Sequence, residues 1–179
     1  MVLIQLRQSL SDFLKGCSRL LVLTVGNELR SDDGFGPYLA SIISGDVTER
    51  GHLIINAGTV PENFTGMIRS ERPSHIIIVD AVEMGEEPGT IMLIDRERIA
   101  EYSISTHAMP LSFLVRYLEE QGDCRITLIG VQPENLEFGM ELSERVRGAA
   151  YELRGLLLSA IDEKSCEKSP SNLNQDPGP

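Results

Sequence analysis

Three residues of this 179-residue chain, Asp33, Asp80 and His107, combine side chains suited to chemistry with positions that bring them to one edge of a sheet. Two carboxylates and an imidazole form an oxygen, oxygen, nitrogen donor set that suits a borderline divalent metal such as nickel or zinc. Such a set leaves coordination positions for water or for ligands from another molecule. Asp33 and Asp80 alone would make an aspartic-type dyad, in which two close carboxylates share one proton. Ordinary structural roles also fit each residue. Asp33 could serve as a cap or dipole partner at a helix start, Asp80 as a loop residue after a strand, and His107 as a cap for the helix that follows it. The other histidines, His52 and His75, fall at strand starts, the edge opposite the expected site.

Covalent nucleophiles offer less. There is no GxSxG, Cys17 and Cys124 precede strands, and Cys166 lies in the C-terminal tail. A relay joining His107 to Ser105 or Ser112 stays open, with nothing to favour it. The loop Gly26-Asn-Glu-Leu-Arg-Ser-Asp-Asp-Gly34 has neither the GxGxxG nor the GxxxxGK[ST] spacing. It also puts Asp32 and Asp33 where a phosphate would need bare amides and positive charge, which argues against nucleotide binding.

The elements that would position these residues are legible as alternating strands and helices. Leu20–Val25, Leu53–Ile55, His75–Val79 and Arg125–Val131 are short β-prone runs of the kind buried on both faces of a parallel sheet. Thr90–Ile94 follows its predecessor too closely for a helical crossover, so it reads as an antiparallel edge strand. Apolar residues at helical spacing mark helices over Asp33–Ile43, Glu62–Arg69, Pro110–Glu120 and from Ser143 to about Ile161. Ser31 or Asp32 is the expected cap of the first of these, and Ser143 of the last. This alternation predicts an α/β fold, a three-layer α/β/α sandwich around a mostly parallel five-stranded sheet. Residues 19–162 read as one domain. Residues 1–18 read as an N-terminal extension with a helical pattern, and residues 163–179, rich in Ser, Pro, Asn and Asp, as a disordered tail. In an open sheet of this kind ligands bind beyond the carboxyl ends of the parallel strands, where Asp33 and Asp80 fall. The loops Asn56–Asn63 and Gln132–Asn135 belong to the same edge, and the first is a candidate for contacting substrate.

Composition narrows the function classes. A net charge of −11 offers no basic surface for phosphates and argues against nucleic-acid binding. The three cysteines are widely spaced and form no CxxC pair, so neither a disulfide framework nor a thiolate zinc site is indicated. The N-terminus lacks the apolar stretch of a signal peptide, and no apolar run approaches the roughly 18 residues of a membrane span. A cytoplasmic, monomeric protein without membrane insertion is expected.

Four blocks, in order, resemble the hydrogenase maturation protease family: Val25–Pro37 (VGNELRSDDGFGP), Ile76–Gly85 (IIIVDAVEMG), Ser105–Pro110 (STHAMP) and Leu128–Glu134 (LIGVQPE). The likeness spans about Leu20 to Ile161. Gly58–Asn63 and the Thr-His-x-Met-Pro block are most similar to the subgroup serving the formate-hydrogenlyase type of large subunit. The resemblance implies an endopeptidase that cuts the C-terminal extension from the precursor of a nickel–iron hydrogenase large subunit, after a basic residue. It implies that the nickel arrives in that substrate and is no tightly held cofactor of the protease, and that Asp33, Asp80 and His107 contact it. Two other classes of function remain as rivals. One is a nickel-checkpoint chaperone that binds the same precursor without cutting it; the other is a small-molecule hydrolase with a metal of its own.

Overall fold

The computed structural model describes residues 2–102, 110–120 and 122–167, apart from the side chains of residues 2 and 164–167. Five strands form one sheet: β1 (Leu20–Val25), β2 (Leu53–Gly58), β3 (His75–Ala81), β4 (Ile91–Ile94) and β5 (Arg125–Val131). Their order is β2-β1-β3-β5-β4. All neighbours are parallel except β4, which runs antiparallel to β5 at the edge, as its short connection to β3 required. Burial follows position in the sheet. Every residue of central β1 is buried, whereas edge strand β2 is mostly half-exposed.

Helices cover both faces: α1 (Val2–Phe13), α2 (Phe35–Glu49), α3 (Thr65–Glu71), α4 (Ile99–Tyr102), α5 (Leu111–Glu120) and α6 (Glu144–Glu167). Alternate strand residues supply two cores. Leu20, Val22, Ile77 and Val79 pack with α1, α2 and α6, while Leu21, Leu23, Ile76 and Ile78 pack with α3 and α5. By the same alternation Asp80 takes the α5 face of β3.

The helix expected near the N-terminus is present, while the C-terminal end differs from the sequence reading. The final helix continues to Glu167, six residues past its expected end at Ile161. Its extra turns carry charged residues, so the apolar stripe that marks a helix fades before the helix stops. Arg7 of α1 pairs with Glu163 there. The disordered tail expected over 163–179 is therefore helical over 163–167, and residues 168–179 lie outside the described residues. At the other end α1 packs on α6 and β4. Leu6, Leu10, Phe13 and Leu14 are buried in the same core as α2 and α6, so the leading segment completes that layer. Among the described residues no helix is long and apolar enough to cross a membrane.

Burial of α1 yields a direct expectation. Leu10 is fully buried, so Leu10→Ala should lower the unfolding free energy by about 2–5 kcal/mol in urea titration. A loss below about 1 kcal/mol would make α1 an accessory to the fold instead of part of its core.

Candidate active site

The site edge begins where β1 ends. Gly26 adopts φ +143°, and a Cβ there would lie 2.0 Å from the Asp33 carbonyl oxygen. A Cβ on Gly36 would lie 2.1 Å from the Val25 carbonyl oxygen. No side chain fits either position, so both glycines are needed for the chain to fold back on itself. The loop closes with Asn27 N–H donating to the Asp33 carbonyl (3.0 Å), while Gly26 N–H donates to Gly58 at the end of β2 (2.9 Å). The 3-10 turn Ser31–Gly34 then leads into α2. Asp33, 3% exposed, is thereby held against the carboxyl end of β1 at the start of the helical segment, where the helix dipole favours its negative charge.

Asp80 comes from the neighbouring strand. It pairs with Gly130 of β5 and follows Val79, the partner of Thr24 in β1, so it lies beside the end of β1. Adjacent strands run about 4.8 Å apart, which brings Asp33 and Asp80 to one stretch of edge. Asp80 is 6% exposed. His107 lies in the segment 103–109, outside the described residues. Among the described residues no three metal-binding side chains cluster.

Neither residue expected to cap the first sheet-to-sheet helix does so. Gly34 precedes α2 and no side chain caps it. Asp32 instead turns away from the helix and is completely buried. Its Oδ2 accepts hydrogen bonds from the backbone N–H groups of Glu134 (2.8 Å) and Asn135 (3.0 Å), and its Oδ1 accepts one from Ser143 N–H (2.7 Å). Asp32 N–H returns a bond to the Asn135 carbonyl at 3.1 Å. One carboxylate thus ties the loop after β1 to the loop between β5 and α6, with charge-assisted bonds that suit a buried anion. Ser31 donates from Oγ to the Glu141 carbonyl (2.9 Å) and holds φ +43°, a left-handed conformation costing about 1–2 kcal/mol in a residue other than glycine. The expected cap at Ser143 is present, its Oγ accepting from Val146 N–H at 3.4 Å.

Gln132 makes a second clamp. Its Oε1 accepts from Met84 N–H (2.7 Å) and Glu86 N–H (3.2 Å), and its Nε2 donates to Glu83 (2.9 Å). The loop beyond Asp80 is therefore fastened to the end of β5. Sequence reasoning placed Gln132 on this edge but gave it no role, because its partners lie 46 to 49 residues away.

Cys17 and Cys124 stay out of this site. Cys17 is buried in the core. Cys124 precedes β5 at the opposite edge, and burial, reinforced by the nearby charge of Glu119, pushes its thiol pKa up, disfavouring the nucleophilic thiolate.

The Asp32 clamp predicts a large effect from a small change. Asp32→Asn keeps the volume but turns one acceptor into a donor facing backbone N–H groups. It should lower the unfolding free energy by about 3 kcal/mol, since bonds to a charged group contribute about 1.5–3 kcal/mol each. Urea unfolding checks this, and a loss under about 1 kcal/mol would contradict the clamp.

With this edge in view, known proteins of similar sequence and shape identify the family. A family model described as hydrogenase maturation protease matches residues 37–160, which takes in Asp80 and His107. A Methanocaldococcus jannaschii protein named as a hydrogenase maturation protease is 34% identical over 170 residues, 91% of this chain and all of its own. The hydrogenase 3 maturation protease of Escherichia coli is 37% identical over 132 residues, 72% of this chain and 82% of its own. The crystal structure of the nickel–iron hydrogenase maturation protease HycI from Thermococcus kodakarensis superposes with a TM-score of 0.79 at 32% identity, over 86% of this chain and 99% of that one. The chain belongs to the hydrogenase maturation protease family and is an endopeptidase of that class.

Proposed function

We propose that this chain removes the C-terminal extension of a hydrogenase large-subunit precursor once nickel has been inserted, and that Asp33, Asp80 and His107 engage that nickel. The observation that carries the reading is the pair of buried carboxylates, Asp33 and Asp80, at the carboxyl ends of adjacent strands in a member of this family. Carboxylates are hard oxygen donors suited to a divalent cation, and a cation delivered by the substrate is one that arrives only when cleavage is due. Asp80 faces the layer of α5, which begins at Leu111, four positions after His107 in the chain.

In this scheme the substrate's nickel is the checkpoint. The two carboxylates and the imidazole complete its coordination and so fix the precursor with its scissile bond over the edge, a gain in proximity. Water then attacks the peptide carbonyl. A carboxylate, Asp33 or Asp80, takes the proton from the attacking water and returns one to the amine that leaves with the C-terminal peptide. The metal polarises the carbonyl or the water while it is held. No nickel needs to remain on the protease afterwards, and the cytoplasm is where this reading places the reaction.

Intact-mass measurement after incubating the protease with nickel-loaded and nickel-free precursor tests the reading. A shortened product is expected from the loaded form alone. His107→Ala and Asp80→Asn should each cut the rate by at least about 100-fold, in the range for loss of a group that positions or transfers protons. Their thermal unfolding should stay near that of the parent. Stable complexes at unchanged mass would instead favour the checkpoint chaperone, and full activity in either variant would remove that residue from the site.

A further inference from the structure

Beside Asp33 the surface carries large apolar side chains that folding has left in water. Leu29 is 69% exposed, Phe138 70% and Met140 54%. They come from two different loops, the one after β1 and the one between β5 and α6, which the Asp32 carboxylate ties together. The apolar residues are themselves joined. Gly139 N–H, between Phe138 and Met140, donates to the Leu29 carbonyl at 2.9 Å. The guanidinium of Arg30 lies 5.1 Å over the Phe138 ring, and its Nε donates to the Leu136 carbonyl at 3.3 Å. Phe138 is thus propped outward on a charged neighbour instead of folding down onto the protein.

Exposed apolar groups held in fixed positions are the usual composition of a protein-binding hot spot, because little side-chain freedom is lost when a partner covers them. The surrounding charge is one-sided. Glu28, Glu134 and Glu137 are exposed on the same two loops, while Arg30 is engaged with Phe138 and Leu136 and Arg147 pairs with Glu141 at 3.8 Å. A partner for this patch must therefore present an apolar segment with lysine or arginine beside it. Leu29 lies four residues before Asp33 on the loop after β1, so a partner seated on the patch is held by the same loop that carries that carboxylate.

We propose that Leu29, Phe138 and Met140 form a docking surface for the precursor, accepting an apolar segment flanked by basic side chains and seating it next to Asp33. This rests on the protease reading above and adds where the substrate protein is gripped. The patch acts in binding and has no part in bond cleavage, so its loss should appear in KM.

Steady-state cleavage of nickel-loaded precursor tests it. The combined variant Leu29→Ser/Phe138→Ser/Met140→Ser should raise KM by about tenfold or more, with kcat at saturating precursor within about threefold of the parent. Glu28→Lys/Glu137→Lys should raise KM as well, by a factor that shrinks as salt is added. Ile4→Ser and Met67→Ser, apolar and exposed elsewhere, should leave KM unchanged. Should the triple variant unfold, Phe138→Ala alone reads the same quantity. An unchanged KM in a parent enzyme that cleaves overturns the docking surface and leaves the protease reading intact. Absence of cleavage by the parent overturns the protease reading. Calorimetric binding of the same precursor to parent and triple variant then decides the patch, weaker binding supporting it and equal or absent binding overturning it.

Discussion

A single buried carboxylate organises the functional edge of this protein. Asp32 is fully enclosed and accepts three backbone N–H bonds from a loop more than 100 residues away in sequence. Those amides would otherwise be part-buried donors without partners, and the carboxylate would be a buried charge without compensation. Each side makes the other tolerable. The consequence reaches beyond stability, since the residue that follows is Asp33. Fixing Asp32 fixes the turn Ser31–Gly34, and with it the point at which the next carboxylate meets the end of β1. Gly26 and Gly36 complete the constraint by allowing backbone approaches that no side chain would permit.

A division of labour follows between neighbouring acids. Asp32 has its acceptor capacity directed at backbone amides, which commits it to architecture. Asp33 and Asp80 occupy the open end of the parallel strands, the place where α/β folds bind ligands. Gln132 performs for the loop beyond Asp80 what Asp32 performs for the loop beyond β1. Both clamps use side chains to satisfy the backbone of long connections, which lets irregular segments next to the sheet hold one conformation. The exposed patch of Leu29, Phe138 and Met140 inherits its rigidity from the same bonds.

Much of this was legible in the sequence for physical reasons. Strands buried on both faces must be continuous apolar runs, and Leu20–Val25 and His75–Val79 read that way. β4 had to be antiparallel because too few residues separate it from β3. Asp33 and Asp80 could be chosen because the edge that binds ligands follows from the direction of parallel strands. The role of Asp32 was not legible. A helix cap and a tertiary anchor call for the same residue type at the same place, and only the distant partners distinguish them. The burial of α1 was also hidden, since an amphipathic segment at a terminus does not announce which face of the domain it will cover. The charged end of α6 shows the converse, a helix continuing where its apolar stripe had stopped. His107 was selected by residue type, position and family resemblance, and the described residues end five positions before it and resume three positions after it.

The central proposition is that protein side chains of this edge complete the coordination of nickel held by the substrate. Nickel K-edge X-ray absorption addresses it most directly, comparing nickel-loaded precursor alone with precursor freeze-quenched on the protease before cleavage. Additional oxygen and nitrogen scatterers in the complex, fewer in oxygen when Asp33→Ala replaces the parent, are the expected result. An absorption spectrum that stays that of the free precursor throughout a turnover that yields cleaved product would contradict it.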